Sequence, residues 1–279
     1  MAQNSKIEWT HHTANLWHGC TKVHAGCDNC YAEALSHRWG NDVWGNDKPR
    51  KAIKSVWSDL LKYQAIAADK GEIHRVFVGS MMDIFEKPMP VVDSKNNPIL
   101  AGPMNRQVKT DELRDRFFYE IIPSCPNLMF LLLTKRPSNI NKYIPEAWKT
   151  NPPENVMFGT SPVDQPTFDT LVRQLESVNG KRFLSIEPQL AHIDFYDIDV
   201  DWVIQGGESG HHKRPFNLDW AYHIRHRCFT LGIPYFFKQI DKVQEIPEDL
   251  QTRQFPVSEQ EKQRIIAEMQ QDCYDNCEI

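Results

Sequence analysis

Short apolar runs, separated by amphipathic stretches, dominate the hydrophobic pattern of the chain. Each run is rich in Val, Ile, Leu or Phe and is bounded by polar, Gly or Pro residues, which is typical of parallel strands buried on both faces. A shorter run of the same kind, Thr13–Trp17, lies near the N-terminus. The main runs are His74–Ser80, Asn127–Thr134, Asn155–Ser161, Arg182–Pro188, Asp201–Gly207 and Ile233–Gln239.

Stretches with helical composition fall between these runs, and several carry start or stop signals: Asp28, Asn29 and Ser58 are possible caps, and Gly71 and Gly232 are stops. Strand and helix therefore alternate, which predicts βαβ units and a parallel sheet. Six or seven units favour an α/β fold of the TIM-type (β/α) barrel, partial rather than closed, with a doubly wound sheet as the alternative. The predicted helices lie within Cys27–Trp39, Ser58–Gly71, Lys109–Cys125, Asp164–Lys181 and Asn217–Pro234.

Two polar segments interrupt this alternation. Residues 88–107 are rich in Pro and Asn and predict a long loop, and long loops are often functional. Beyond about Asp241 the chain becomes acidic, with a predicted helix over residues 258–272. We therefore expect a barrel domain at 1–240 and an acidic C-terminal extension at 241–279.

The net charge of −5 is unevenly distributed. Residues 241–279 hold 4 Lys and Arg against 10 Asp and Glu, or −6, so the remaining 240 residues carry 28 basic against 27 acidic groups, or +1. This neutral body gives no electrostatic footprint for strong nonspecific nucleic-acid binding, so a nucleic-acid partner has only weak support from a local basic patch. The chain has no apolar run of membrane-helix length and no signal-like N-terminus, so we expect a cytoplasmic protein and no membrane partner.

Polar residues cluster where the predicted strands end. A barrel directs all these strand ends to one face, and that face holds the active site in TIM-type enzymes. Several of the residues are charged and would be costly to bury without partners. The set includes Gly79, Ser80, Asp83, Thr134, Lys135, Arg136, Gly159, Thr160, Ser161, Ser185, Glu187, Gln205, Gly206, Gly207, Glu208, Lys238 and Gln239.

Three cysteines follow the first predicted strand with the spacing C-x6-C-x2-C. Because Cys27 and Cys30 are three residues apart, they would share one face of a helical turn. Cys20 would fold back over a loop containing Gly26. The total of seven cysteines is odd and no export signal precedes them, so a disulfide framework is not expected. Cys125 and Cys228, in apolar surroundings, are predicted to be buried inert thiols, whereas Cys273 and Cys277 lie in the acidic tail.

Two kinds of metal site fit three grouped thiols. A structural zinc ion needs a fourth protein ligand, which His18, His24 or a tail cysteine could supply. An iron–sulfur cube held by three thiolates keeps one iron free to bind a substrate or cofactor. A binding module that carries zinc or a cluster without catalysis is therefore an alternative to an enzyme. A hydrolase that uses Glu187 and Glu208 as an acid–base pair would leave the cysteines unexplained.

At its N-terminus the chain resembles phage- and bacterium-encoded proteins related to the radical S-adenosylmethionine superfamily, with partial similarity to its spore photoproduct lyase-type members. The resemblance begins with "IEWTHHTANLWHGCTKVHAGCDNCYAEALSHR" and covers residues 7–240 in order. It continues through "RVFVGSMMDIFE", "FLLLTKRP", "NVMFGTSPVDQ", "RFLSIEPQL", "DWVIQGGESG" and "PYFFKQ". The first cysteine spacing is longer than the superfamily's usual three residues, so the loop must bulge.

The resemblance implies an enzyme whose Cys20, Cys27 and Cys30 ligate a [4Fe-4S] cluster. The open iron would bind S-adenosylmethionine, and an external electron donor would reduce the cluster. A small molecule or nucleotide would be the substrate. With the strand-end pattern, the resemblance implies catalytic roles for Lys135, Arg136, Glu187 and Glu208. The expected cofactor-binding residues are Tyr31, Gly79, Ser80, Met81, Asp83, Thr134, Ser161, Gly206, Gly207 and Lys238.

Overall fold

A computed structural model describes residues 5–210 and 212–256. Its strands are β1 (His12–Ala14), β2 (Trp17–His18), β3 (Arg50–Ala52), β4 (His74–Val78), β5 (Val91–Val92), β6 (Leu100–Ala101), β7 (Arg106–Gln107), β8 (Leu128–Thr134), β9 (Val156–Thr160), β10 (Lys181–Ile186), β11 (Trp202–Gly206) and β12 (Tyr235–Gln239). Its α-helices are α1 (Tyr31–Arg38), α2 (Val56–Lys70), α3 (Thr110–Arg116), α4 (Ile140–Tyr143), α5 (Gln165–Glu176) and α6 (Leu218–Leu231).

Seven parallel strands form the main sheet, in the order β1-β4-β8-β9-β10-β11-β12. The sheet curls into a half-barrel: Trp9, which precedes the first edge strand, packs against Trp202 on β11 with ring centroids 6.2 Å apart. The prediction of a partial α/β barrel is confirmed at this level. All seven predicted strand segments contribute to the sheet, although Thr13–Trp17 divides between β1 and the separate strand β2.

The two faces of the curled sheet bury different apolar clusters. The concave face collects large side chains from Trp9 and from strands β4 to β12, including Phe77, Met157, Phe183 and Trp202. Space for the Phe183 ring comes from Gly159, because a Cβ at that position would lie 2.3 Å from the ring. The convex face packs against the helices in a larger cluster that contains Cys125 and Cys228, both fully buried as predicted.

The predicted helix stops at Gly71 and Gly232 are confirmed. Gly71 and Gly232 end α2 and α6 in the left-handed conformation, with φ of +66° and +67°. Asp164 caps α5 through a hydrogen bond from the Thr167 backbone N–H. The start of α2 was predicted wrongly, because the residue before its first turn is Ser55 rather than Ser58. Helix α3 passes directly into a short π-helix over Phe117–Ile121.

Residues 88–107 do not form the plain loop predicted from their composition. Within them, β5 pairs with β3, which also pairs with β2 in a small three-stranded sheet, and β6 and β7 form a hairpin. Short strands without strong alternation leave little hydrophobic signal, so their pairing comes from the surrounding fold. The three-stranded sheet lies beside the chain segment that carries Cys20.

The start of the predicted acidic extension packs against the half-barrel. The backbone N–H of Phe237 donates to Thr252, that of Gln254 donates to Tyr235, and Arg253 forms an ion pair with Glu8 at 3.0 Å. The rest of the extension, including its predicted helix, lies outside the described residues. Across the described chain, no helix combines the length and apolar character needed to cross a membrane.

Candidate functional site

A cavity of about 310 Å3 opens at the carboxyl ends of the strands. That volume lies at the lower end of the range for small-molecule sites, roughly 300–1,000 Å3. Cys20, Cys27 and Cys30 all line it. So do the four predicted catalytic residues, Lys135, Arg136, Glu187 and Glu208. Of the predicted cofactor-binding residues, Tyr31, Gly79, Ser80, Met81, Asp83, Thr134, Ser161, Gly207 and Lys238 also line it, whereas Gly206 lies outside the lining.

The cysteine loop is built differently from the predicted shared helical turn. Cys27 ends a short 3-10 turn that begins at Ala25, and Cys30 is the residue that precedes α1. The two therefore do not lie on one α-helical face. His24, the residue before the 3-10 turn, accepts a hydrogen bond from the Gly26 backbone N–H at 3.1 Å. The imidazole Nδ1 is the acceptor, and the contact stabilises the bulge between Cys20 and Cys27 that the long first spacing predicts.

An apolar patch surrounds the cysteine loop. Cys20 and Cys30 pack against a small cluster of buried side chains that includes Val43, Trp44 and Met81. All three thiols are partly buried and free. Burial, reinforced by the nearby Asp83 carboxylate, raises the pKa of the Cys20 thiol to about 12. In the described part of the chain, no three His, Cys, Asp or Glu side chains are arranged closely enough to hold a metal ion.

Asp83 organises the floor of the cavity next to Cys20. Its carboxylate accepts hydrogen bonds from the Thr134 hydroxyl at 2.7 Å and from the Arg136 guanidinium at 2.6 Å. Another guanidinium N–H of Arg136 donates to the Thr21 carbonyl at 2.5 Å, and Arg136 Nη1 lies 3.8 Å from Cys20 Sγ. Burial alone would lower the pKa of Arg136, but the Asp83 carboxylate and Cys20 hold it above its usual range. Arg136 is therefore a permanent cation beside the first thiol.

A fully buried ion pair between Arg50 and Glu86 stabilises the cysteine loop. Arg50 on β3 donates to both carboxylate oxygens of Glu86, at 2.8 and 2.7 Å, and neither side chain is more than 2% exposed. The same guanidinium donates to the Thr21 hydroxyl at 2.9 Å and to the Val43 and Gly45 carbonyls at 2.9 and 3.1 Å. Arg50 thus fixes the residue after Cys20 and the loop that carries Trp44.

The ends of β1 and β4 form a second wall of the cavity. Asn15 donates to the Ser80 hydroxyl and accepts from the Met81 backbone N–H, both at 2.8 Å. The Tyr31 hydroxyl donates to the Ser80 carbonyl, also at 2.8 Å. Gly79 has a φ of +109°, a conformation that favours glycine, and it allows the chain to turn sharply after β4.

The loop after β11 is fastened to the cysteine loop through Glu208. Arg214 donates to both Glu208 oxygens, at 3.0 and 2.6 Å, and Asn29 donates to one of them at 3.0 Å. The Arg214 guanidinium also donates to the Ala25 carbonyl at 3.2 Å. Burial opposes ionisation of Glu208, but the hydrogen bonds from Arg214 and Asn29 hold its pKa below the usual range. Asn29, predicted as a possible helix cap, thus bridges the two loops instead.

The remaining predicted residues occupy the wall formed by β9 to β12. Glu187 and Lys238 form a partly buried ion pair across the strand ends. The Ser161 hydroxyl donates to the Ser185 carbonyl at 2.8 Å, so it supports the wall through the backbone. A Cβ at Gly207 would lie 2.0 Å from the Ile240 carbonyl oxygen. That close approach of two backbones explains the glycine without a ligand.

Sequence reasoning missed four residues that shape the site: Asn15, Arg50, Glu86 and Arg214. Glu86 ends the stretch "RVFVGSMMDIFE", beyond the predicted strand end, and Asn15 lies inside the predicted strand Thr13–Trp17. Arg50 lies on a strand too short to show a pattern, and Arg214 stands in a polar loop. One signal could have pointed to Glu86, which follows Ile84 and Phe85: a charge among apolar residues must be paired if it is buried. The polar neighbours of Arg50 give no such signal.

Comparisons with known proteins add a family but no activity. No curated protein and no solved structure matches the chain. One family model, described as a protein of unknown function (DUF5131), matches residues 4–97 and 99–277. The match includes the cysteine loop and every strand end that lines the cavity. The chain therefore belongs to the DUF5131 family.

Proposed function

We propose that this protein is a radical S-adenosylmethionine-type enzyme whose Cys20, Cys27 and Cys30 hold a [4Fe-4S] cluster. One observation carries the proposal: all three thiols of the C-x6-C-x2-C segment line the same cavity as the polar ends of the strands. Such an arrangement would place a metal group beside the residues that bind its cofactor and substrate. We also propose that the half-barrel is a partial barrel of the TIM (β/α) type.

The surroundings of the three thiols suit an iron–sulfur cluster, although the sulfurs do not lie close enough together to hold a metal ion in this structure, so the cysteine loop would have to draw them together on binding. Their partly apolar surroundings, with Val43, Trp44 and Met81, limit solvent access, and hydrogen bonds to sulfur tune the potential of such clusters. Arg136 supplies an N–H group 3.8 Å from Cys20 Sγ. A thiol whose pKa is raised to about 12 stays protonated alone but loses its proton when a metal binds.

The opposite wall offers the contacts that a nucleoside cofactor with a methionine tail needs. Backbone carbonyls and the Ser80 hydroxyl at the end of β4 suit an amino group, and the Tyr31 ring lies directly after the last cysteine. Held there beside a reduced cluster, S-adenosylmethionine would supply radical hydrogen-abstraction chemistry. The protein's residues position the cofactor, exclude water and stabilise charge.

The predicted catalytic carboxylates favour this proposal over the acid–base hydrolase. Glu208 is held by Arg214 and Asn29, and Glu187 pairs with Lys238. A general acid needs a raised pKa, and the pKa of Glu208 is lowered instead. We assign Glu208 a positioning role between two loops. The protein would work in the reducing cytoplasm, with an external electron donor and a small-molecule or nucleotide substrate.

Anaerobic reconstitution with iron and sulfide tests the cluster. The wild-type protein should turn brown and bind about four irons per chain, the content of one cube. Reduction in the presence of S-adenosylmethionine should then release 5'-deoxyadenosine. Cys20→Ala, Cys27→Ala and Cys30→Ala should each lose most of the iron while keeping the far-ultraviolet circular dichroism of the wild type. Cys125→Ser is the matched control, because it changes a thiol buried in the core and away from the cavity.

Other outcomes have a definite meaning. A colourless protein with one tightly bound zinc per chain would contradict the radical enzyme and favour the alternative, a binding module that carries zinc. Iron retained in all three alanine variants would overturn the assignment of the ligands. A cluster that forms but never yields 5'-deoxyadenosine would leave a cluster-bearing module without radical chemistry.

A further inference from the structure

The charged residues of the cavity do not balance. Its lining includes Asp83, Glu187 and Glu208 as acids, and each of these is paired with an arginine or lysine. The lining also includes five cations, of which Lys22, Arg136 and Lys238 have carboxylate partners. Two lysines, Lys135 and Lys242, have no carboxylate within 4.0 Å among the described residues. Within the described part of the chain, the cavity lining therefore holds two lysines without a carboxylate partner.

Lys135 lies directly after β8, beside the Asp83–Arg136 pair. Its backbone N–H donates to Asp83 at 3.2 Å, and its ammonium group has no hydrogen-bond or ion-pair partner among the described residues. The next residue, Arg136, donates to the Thr21 carbonyl and lies 3.8 Å from Cys20 Sγ, so Lys135 lies close to the cysteine loop. Lys135 thus contributes positive potential on the side of the cavity where the cysteines lie.

Lys242 stands on the loop after β12, and that loop is tightly built. The Asp241 carboxylate accepts from the Val243 and Gln244 backbone N–H groups at 2.8 Å each, and from Lys213 at 2.9 Å. Lys242 has a φ of +69°, a left-handed conformation that is unfavourable for a residue with a Cβ. The loop therefore holds a lysine at the cavity in a backbone conformation that a glycine would adopt more easily.

We propose that Lys135 and Lys242 bind the phosphate group of a phosphorylated substrate at the mouth of the cavity. This inference rests on the proposed function, since it names the substrate class of the same site. Two lysine charges match the charge of a phosphate monoester, which is about −1.5 to −2 at neutral pH. Lysine is a common phosphate ligand that acts as a point charge. The unpaired charges thus favour a phosphorylated substrate over a neutral one.

Equilibrium binding of pyrophosphate to the protein as purified tests the site without iron or cofactor. Trp9 and Trp44 line the cavity, so their fluorescence supplies a signal, and calorimetry supplies a second. The wild type should bind pyrophosphate, and added salt should weaken the binding. Lys135→Met and Lys242→Met should each weaken it at least fivefold. Lys95→Met, on an exposed turn outside the cavity, should bind as the wild type does.

A second arm separates the substrate from the cofactor. The cluster-loaded Lys242→Met variant should bind S-adenosylmethionine as tightly as the loaded wild type. If Lys242→Met loses S-adenosylmethionine but keeps pyrophosphate, the lysine serves the cofactor's carboxylate and the phosphate proposal is wrong. The proposal would also be overturned if the wild type fails to bind pyrophosphate, or if either methionine variant binds it as tightly as the wild type does. Loss of iron from the cysteine variants bears on the cluster alone, so the two proposals fail independently.

Discussion

A histidine cluster at the amino ends of β1 and β4 shows how single residues constrain proton positions. His74 lies 2.8 Å from the Glu72 carboxylate and 3.0 Å from His12 Nε2. The carboxylate can only accept, so in neutral His74 the Nε2 atom carries the proton and Nδ1 accepts from His12 Nε2. His12 Nδ1 is then the unprotonated nitrogen, and it is buried without a partner among the described residues. Charging His12 would place an unpaired N–H group in the interior.

This arrangement predicts acid sensitivity in a defined pH range. Burial, followed by the effect of neighbouring positive groups, lowers the pKa of both His11 and His12 to about 4. In the unfolded chain both would titrate near 6.5, so the unfolded state binds more protons between those pH values. The free energy of unfolding should therefore fall as the pH decreases from about 6.5 to 4. Urea unfolding at a series of pH values measures this slope.

Replacement of one histidine tests the cause of that slope. His12→Gln keeps an N–H donor for His74 but cannot titrate, so its proton uptake on unfolding between pH 4 and 6.5 should be about one lower. His226→Gln, on the exposed face of α6, should leave the slope unchanged. An unaltered slope in His12→Gln would show that other groups cause the acid sensitivity.

At the scale of elements, the Arg50–Glu86 pair joins the small sheet to the cysteine loop. Arg50→Met would leave Glu86 buried without its main partner, and breaking a buried pair in this way costs about 3–5 kcal/mol. The urea midpoint should fall accordingly. Because Thr21 and Gly45 lose a donor, iron retention should also fall.

Two variants separate the buried pair from ordinary surface charge. Arg106→Met breaks an exposed ion pair with Glu112 and should have little effect on the midpoint. Thr21→Val removes only one hydrogen bond to Arg50 and should cost about 1 kcal/mol. If Arg50→Met unfolds at the same urea concentration as Arg106→Met, the buried pair does not stabilise the loop.

The same elements show what sequence patterns can predict. The seven main strands were found because runs buried on both faces, such as β8 and β11, are continuously apolar. Their polar ends were correctly expected to meet because parallel strands end at one edge. The strands β3, β5, β6 and β7 were missed, because two or three residues show no periodicity.

The long-range partners of the site could not be predicted for a different reason. Asn29 contacts Glu208 and Arg214 contacts Ala25, each across more than 170 positions of the chain. No local pattern records such a contact. A capping role was a reasonable expectation for Asn29 from its neighbours alone, but the folded half-barrel supplies a partner that the local sequence does not contain.

At the scale of the whole molecule, an open curled sheet needs contacts that hold its two sides together. Near the carboxyl ends of the strands, Arg214 and Asn29 connect the loop after β11 to the loop that follows β2. At the other end, the segment Gln251–Pro256 crosses from β12 toward β4. Phe255 packs on Trp202 and lies 3.8 Å beneath the Arg75 guanidinium. These bridges compensate for the absence of a hydrogen-bonded closure between β1 and β12 in the described sheet.

Comparison of two shortened chains tests the contacts that the segment Gln251–Pro256 makes with the sheet. A chain that ends at Leu250 lacks the Phe255 contacts and the Gln254 carbonyl that accepts from the Trp202 indole at 3.0 Å. Relative to a chain that ends at Pro256, it should lose about 2 kcal/mol of unfolding free energy, the scale for burying one large apolar side chain. Its tryptophan emission should also shift to longer wavelength, because Trp202 becomes exposed to water. Phe255→Ala in the longer chain should reproduce part of both changes. Equal midpoints and equal emission in the two chains would show that the half-barrel keeps its curl without this segment.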